Sequence, residues 1–115
     1  MEARERQLKE YIARIGSNPF GEWLSSITDK TTCARIRTRI SRLRLGNFGD
    51  CRGVGEGVNE LRLDFGPGYR VYYGLVGETL VLLLGGGDKS SQDRDIREAK
   101  RYWQEFKADN AHERL

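Results

Sequence analysis

Residues 57–89 read GVNELRLDFGPGYRVYYGLVGETLVLLLGGGDK, and the alternation inside this stretch decides the fold class. From Glu60 to Phe65, the polar residues Glu60, Arg62 and Asp64 alternate with Leu61, Leu63 and Phe65. This is the two-residue period of a strand with one face buried. Gly66-Pro67-Gly68 then reverses the chain. In the next segment Arg70, Tyr72 and Gly74 share one face, while Val71, Tyr73 and Leu75 share the other. Two antiparallel strands of this kind present Arg62, Arg70 and Tyr72 together. The third strand of the meander, Thr79–Leu84, is an apolar run after a turn at Gly77, which predicts burial on both faces beneath helices. Lys89 lies at the end of that strand or in the loop beyond Gly85-Gly86-Gly87.

Upstream, GNFGDCRGVGEG (residues 46–57) is glycine-rich, polar and without apolar period, and it predicts a loop. It matches neither GxGxxG nor GxxxxGK[ST], and it precedes a strand instead of joining strand to helix, so a phosphate cradle is not indicated. Before it, Thr28 or Asp29 caps a helix running to about Leu45, where Gly46 supplies a positive φ. Its core stripe is Ile36, Ile40 and Leu43. Arg35, Arg39 and Arg42 flank that stripe on one side, and Arg37 and Arg44 on the other. Such stems commonly cover the edges of a buried helix face with their heads in water; contact with a partner or nucleic acid is the alternative. Asn18 and Pro19 open a shorter helix through Trp23 and Leu24. Leu8, Tyr11, Ile12 and Ile15 read equally as a short helix or, through Leu8, Glu10 and Ile12, as a strand. Downstream, Ser90 or Ser91 caps a last helix with Ile96, Ala99, Trp103 and Phe106 on one face. Residues 109–115 are expected to form a frayed tail.

At 115 residues the chain has the size of one domain, read as spanning residues 1–115. No apolar run approaches the roughly 20 residues that cross a bilayer. Met1–Gln7 is charged, so no secretory signal is expected. Cys33 and Cys51 have no metal-ligand spacing and read as reduced thiols of a cytoplasmic protein. The net charge of +3 is a weak pointer to a polyanionic partner, and the clustering of arginines is a stronger one. The sole histidine, His112, is in the tail, which leaves Ser-His-Asp and Cys-His mechanisms without a base. Asp88, Asp93 and Asp95 match no EF-hand spacing and suit a helix dipole. Neither a metal nor a cofactor is expected.

The remaining inventory of cations, tyrosines and carboxylates suits metal-free phosphodiester chemistry. When RNA is cleaved by its own 2′-hydroxyl, charge develops on the phosphorane, and Arg70 with Arg62 is placed to neutralise it. Loss of one such donor commonly costs about 100- to 1000-fold. Lys89 is a candidate for contact with the leaving oxygen or an adjacent phosphate. Tyr72 and Glu60 are the candidates for proton transfer, although a tyrosine with a pKa of about 10 needs substantial tuning to act as a base. The competing reading of Arg62 and Arg70 is cross-strand pairing with Glu60 or Asp64.

Three separated stretches, RLRLGNFGD (42–50), ELRLDFGPGYRVYY (60–73) and GGDKSSQDRDI (86–96), resemble the RelE/ParE superfamily of type II toxin-antitoxin toxins, in its HigB-like branch. The resemblance runs from about Tyr11 to Trp103. It implies an α+β, RelE-like fold: a small antiparallel sheet, made of an N-terminal strand plus a three-strand meander, with two N-terminal helices and one C-terminal helix. It is also what favours a strand near Leu8–Ile15. By motif position Arg70 is similar to the family's transition-state arginine, Arg62 to a second basic position, and Lys89 to the basic residue after the last strand. The resemblance implies a ribosome-dependent messenger-RNA endonuclease that inhibits translation. Its partners would be messenger RNA, the ribosome, and a cognate antitoxin of the small helix-turn-helix type. Arg37, Arg44 and Lys89 are the candidate RNA or ribosome contacts. Where some relatives carry tyrosine or histidine on the last helix, this sequence has Gln92, Arg94 and Asp95. The ParE branch poisons gyrase with a similar fold, so a protein-binding toxin and a non-catalytic antitoxin-binding module are the alternatives.

Overall fold

The computed structural model describes residues 5–110. Five strands form one mixed sheet: β1 (Gln7–Glu10), β2 (Cys51–Gly55), β3 (Val58–Arg62), β4 (Arg70–Val76) and β5 (Leu80–Gly87), in spatial order β1-β5-β4-β3-β2. Three helices, α1 (Pro19–Ser26), α2 (Lys30–Arg44) and α3 (Gln92–Asp109), complete an α+β fold. The β3-β4-β5 meander, the two N-terminal helices and the C-terminal helix follow the expected order.

Two features of the sheet differ from expectation. Cys51–Gly55, expected to be loop, is an edge strand paired antiparallel with β3. Its partner is a free sheet edge supplied from outside the segment, which local apolar periodicity does not report. Gly55 pairs with Val58, leaving Glu56 and Gly57 as a two-residue turn with φ of 56° and 87°, the positive values a tight hairpin requires. The second difference is β1, which runs parallel to β5 and ends at Glu10. Beyond it the chain leaves the sheet in a turn closed by the Ala13 N–H donating to the Ser17 carbonyl. Ile15 is 88% exposed there, so no strand continues to that residue.

The first two helices start at side-chain caps, whereas Ser91 ahead of α3 makes no such bond and the cap of that region is Asp88, before the preceding 3₁₀ turn. The Asn18 side chain accepts from the Gly21 N–H with Pro19 in the first turn of α1, and Asp29 accepts from the Thr32 N–H ahead of α2. Such caps satisfy N–H groups that the helix itself cannot. Gly46 ends α2 with φ 81°. The α3 helix continues through Asp109, whose carboxylate accepts from Arg14 at 2.7 Å, so the expected fraying does not begin there. His112 and the rest of the expected tail lie outside the described residues.

The sheet is covered on both faces. Phe20 and Leu24 of α1 and Ile36, Ile40 and Leu43 of α2 pack on Leu61, Val71, Tyr73, Val81 and Leu83. On the opposite face Ala99 and Trp103 of α3 pack on Val58, Leu82 and Leu84. The apolar run of β5 is therefore buried on both sides, as its composition predicts. Full burial of an aliphatic side chain such as Ile36, which is 0% exposed, contributes about 1.5–3 kcal/mol. Gly74 and Gly57 lie directly under the Trp103 indole, so these glycines set how closely α3 approaches the sheet.

Candidate functional site

Strand register assembles the site. Glu60 sits opposite Tyr72 and Arg62 opposite Arg70 across the β3-β4 pair, while Arg52 of β2 sits opposite Glu60. Side chains directly opposite on one sheet face are neighbours, so these five converge on the α3 side beside the start of that helix. The sequence expectation that Arg62, Arg70 and Tyr72 share a face holds in this arrangement.

Glu60 is the hub, with a side chain fully buried. Its Oε1 accepts from Arg52 Nε at 2.9 Å and lies 3.8 Å from Arg62 Nε. Its Oε2 accepts from Gln92 Nε2 at 2.8 Å and from the Tyr72 hydroxyl at 3.1 Å, and lies 3.9 Å from Arg70 Nε. Burial pushes the Glu60 carboxyl upward, but the hydrogen bonds from Gln92, Arg52 and Tyr72 outweigh it and hold the pKa below the ordinary value. Glu60 is thus an ionised carboxylate whose oxygens are already engaged. It is built to orient guanidiniums, not to reach a substrate.

Tyr72 is shifted in the direction opposite to base catalysis. It is 0% exposed, and its hydroxyl pKa is raised by burial first and then by the charge and hydrogen bond of Glu60. The candidate base becomes a structural donor.

Arg70 is 6% exposed. Its Nη1 donates to the Gly68 and Tyr69 carbonyls at 3.1 and 3.3 Å, whereas Nε has no hydrogen-bond partner. The 3.9 Å approach to Glu60 supplies charge compensation without a hydrogen bond. Lys89 is exposed in the single 3₁₀ turn Lys89–Ser91 that precedes α3. A Cβ placed on Gly68 would lie 3.3 Å from Lys89 Cβ and 3.5 Å from Arg70 Nη1, so the Gly66-Pro67-Gly68 turn brings Lys89 beside Arg70. Among the acids near the helix start, Asp88 accepts from the Ser90 N–H and hydroxyl, and Asp95 accepts from Ser91. Gly87 faces Asp95 at a distance no Cβ would permit.

Arg37 and Arg44 are not part of this cluster. They occupy the edge of α2 nearer the first strand: Arg37 borders a depression with Glu10, Asn18 and Glu22, and Arg44 pairs with Glu5 at 3.1 Å. The opposite edge of α2, carrying Arg35, Arg39 and Arg42, faces a groove that Arg62 also lines.

Two site residues escaped the sequence reading. Arg52 lies in a segment whose composition predicts a loop, and Gln92 stands where some members of the resembled family carry tyrosine or histidine. The two-residue spacing of Glu56-Gly57 before Val58 signals the hairpin, but by itself it would set Gly53 opposite Glu60; the irregularity between Gly53 and Gly55 shifts the register and brings Arg52 there.

An uncharacterized protein of Haemophilus influenzae Rd is 51% identical over 87 residues, which cover 76% of this chain and 88% of that protein. The chain belongs to that protein's family. No protein-family profile matches the chain, and no solved structure does. The shared identity extends over about three quarters of the chain and brings no activity with it.

Proposed function

We propose that this protein is the toxin of a type II toxin-antitoxin pair, acting as a metal-free endoribonuclease on messenger RNA in the ribosome. The observation that carries the reading is the convergence of Arg52, Arg62 and Arg70 on Glu60, with Lys89 beside the same turn. The Arg52 and Arg62 side chains are 52% and 40% exposed, so their outer nitrogens are available to a phosphate while Nε faces Glu60. A guanidinium held this way suits a doubly charged phosphorane better than a mobile one does, because little reorganisation accompanies the charge that develops. In this reading Arg70 stabilises the transition state, Arg62 and Arg52 grip the flanking oxygens, and Lys89 meets the leaving side. Tyr72 and Glu60 hold the arginines in place. The protein then works in the cytoplasm and is neutralised by a small helix-turn-helix antitoxin. Arg37 and Arg44, on the far edge of α2, would serve ribosome or antitoxin contact.

Primer extension on messages after induction tests the activity. New cleavage sites in translated regions, lost in Arg70→Ala, are expected; toxicity without any new sites would sink the nuclease reading. The burial of Arg70 favours a second reading, a toxin that works by binding a protein such as gyrase, with the arginine cluster serving stability. Relaxed plasmid DNA on induction, with messages intact, would select it.

A further inference from the structure

We propose that the groove between α2 and the end of β3 is a binding path for single-stranded RNA that continues outward from the Glu60 cluster. The groove has a volume of about 460 Å³ and is walled by Arg35, Arg39 and Arg42 on one side and Arg62 on the other. The helical positions i, i+4 and i+7 place the first three along one edge. None of Arg35, Arg39 and Arg42 forms an ion pair among the described residues. Two carboxylates, Asp50 and Asp64, also line the groove, which leaves an excess of positive charge. Packing alone does not call for unpaired guanidiniums of one sign around a concavity, since they repel one another.

The aromatic component points to nucleotides. The Arg35 guanidinium lies 3.8 Å from the centroid of the Phe65 ring, which is itself half-buried in the groove wall. A cationic groove with a ring and a stacked guanidinium offers both a track for phosphates and a flat surface for a base. Arg62 belongs to both places, lining the groove and lying 3.8 Å from Glu60. A polynucleotide strand, with its charges repeating along its length, could follow Arg35, Arg39 and Arg42 and reach the Glu60 cluster through Arg62. The groove's volume accommodates a nucleotide or two of single strand and no duplex. This path rests on the ribonuclease reading for its direction toward the Glu60 cluster, while the binding itself is measured apart from cleavage.

The test is fluorescence anisotropy with a short fluorescein-labelled single-stranded RNA carrying 2′-O-methyl groups, which cannot be cut by its own hydroxyl. Arg39→Gln/Arg42→Gln should weaken binding at least about tenfold at low salt and lower the log-log salt slope by about 0.7 for each arginine that held a phosphate. Arg39→Lys/Arg42→Lys should keep most of the affinity, and Arg101→Gln, a single charge change on α3 that matches Arg42→Gln alone, should leave it unaltered. Thermal melting checks folding. If the double glutamine variant melts early, the exposed Arg42→Gln alone carries the test, with a smaller loss expected. Unchanged affinity in the glutamine variants would overturn the path, as would an equal loss in Arg101→Gln. Equal binding of duplex RNA, or displacement of the RNA by an equal concentration of polyglutamate, would reassign the groove. Loss of cleavage with this binding intact would count against the ribonuclease reading and not against the groove.

Discussion

One face of the sheet carries two environments two residues apart on the same pair of strands. Glu60 and Tyr72 pair across β3 and β4, and two residues further along each strand Val58 and Gly74 pair in the same way. The first pair is a hub of charge and hydrogen bonds, and the second is a dry seat for Trp103. Both are buried, yet they are held by different physics. At the polar end the carboxylate requires its partners, because a buried charge without them is costly. At the apolar end close contact does the work, and any added atom must displace the indole.

The strongest way to break this contrast is Glu60→Ala. It removes the counter-charge from Arg70, which is 6% exposed, and leaves a buried cation; a loss of about 3–5 kcal/mol in denaturant unfolding is expected. Gly74→Ala attacks the other end. The new methyl meets the Trp103 ring, and overpacking of this kind costs about 1–3 kcal/mol. A loss confined to Glu60→Ala would mean that α3 yields easily at Trp103. Tyr72→Phe sharpens the comparison, since it deletes one donor to Glu60 and keeps the ring. Its expected cost is about 1 kcal/mol in the same assay.

Acidity should separate the two ends as well. The folded-state pKa of Glu60 is lowered, so its contribution is fully present above the unfolded value and is lost as pH falls through the folded one. Stability of the natural protein should therefore decline below the ordinary carboxylate value of 4.5. Glu60→Gln should remove part of that slope, and Gly74→Ala none of it. Equal acid slopes in all three proteins would place the titration elsewhere.

How much of this was legible in the sequence depends on what each residue's pattern encodes. The alternation Glu60-Leu61-Arg62 and Arg70-Val71-Tyr72 records which face each side chain occupies, and it placed the cluster correctly. It could not record depth. Arg62 and Arg70 are opposite each other in register, yet one side chain is 40% exposed and the other 7%, because the turn at Gly68 and the start of α3 close over Arg70. Nor could alternation reveal Arg52, whose strand contains Gly53 and Gly55 and exists because β3 offers it an edge. The direction of the Tyr72 shift likewise follows from its burial first and its contact with Glu60 second, both tertiary facts.

The pairing of β1 with β5 joins residues 7–10 to residues 80–83. During synthesis the first strand emerges early and has no partner until most of the chain has followed it. The meander and the α1-α2 hairpin can form from nearby contacts, whereas this pairing must close the longest loop in the sheet and carries the corresponding entropic cost. Docking of the first strand therefore carries the largest loop-closure cost in the sheet, and a chain halted before β5 would leave residues 7–10 without the strand they pair with.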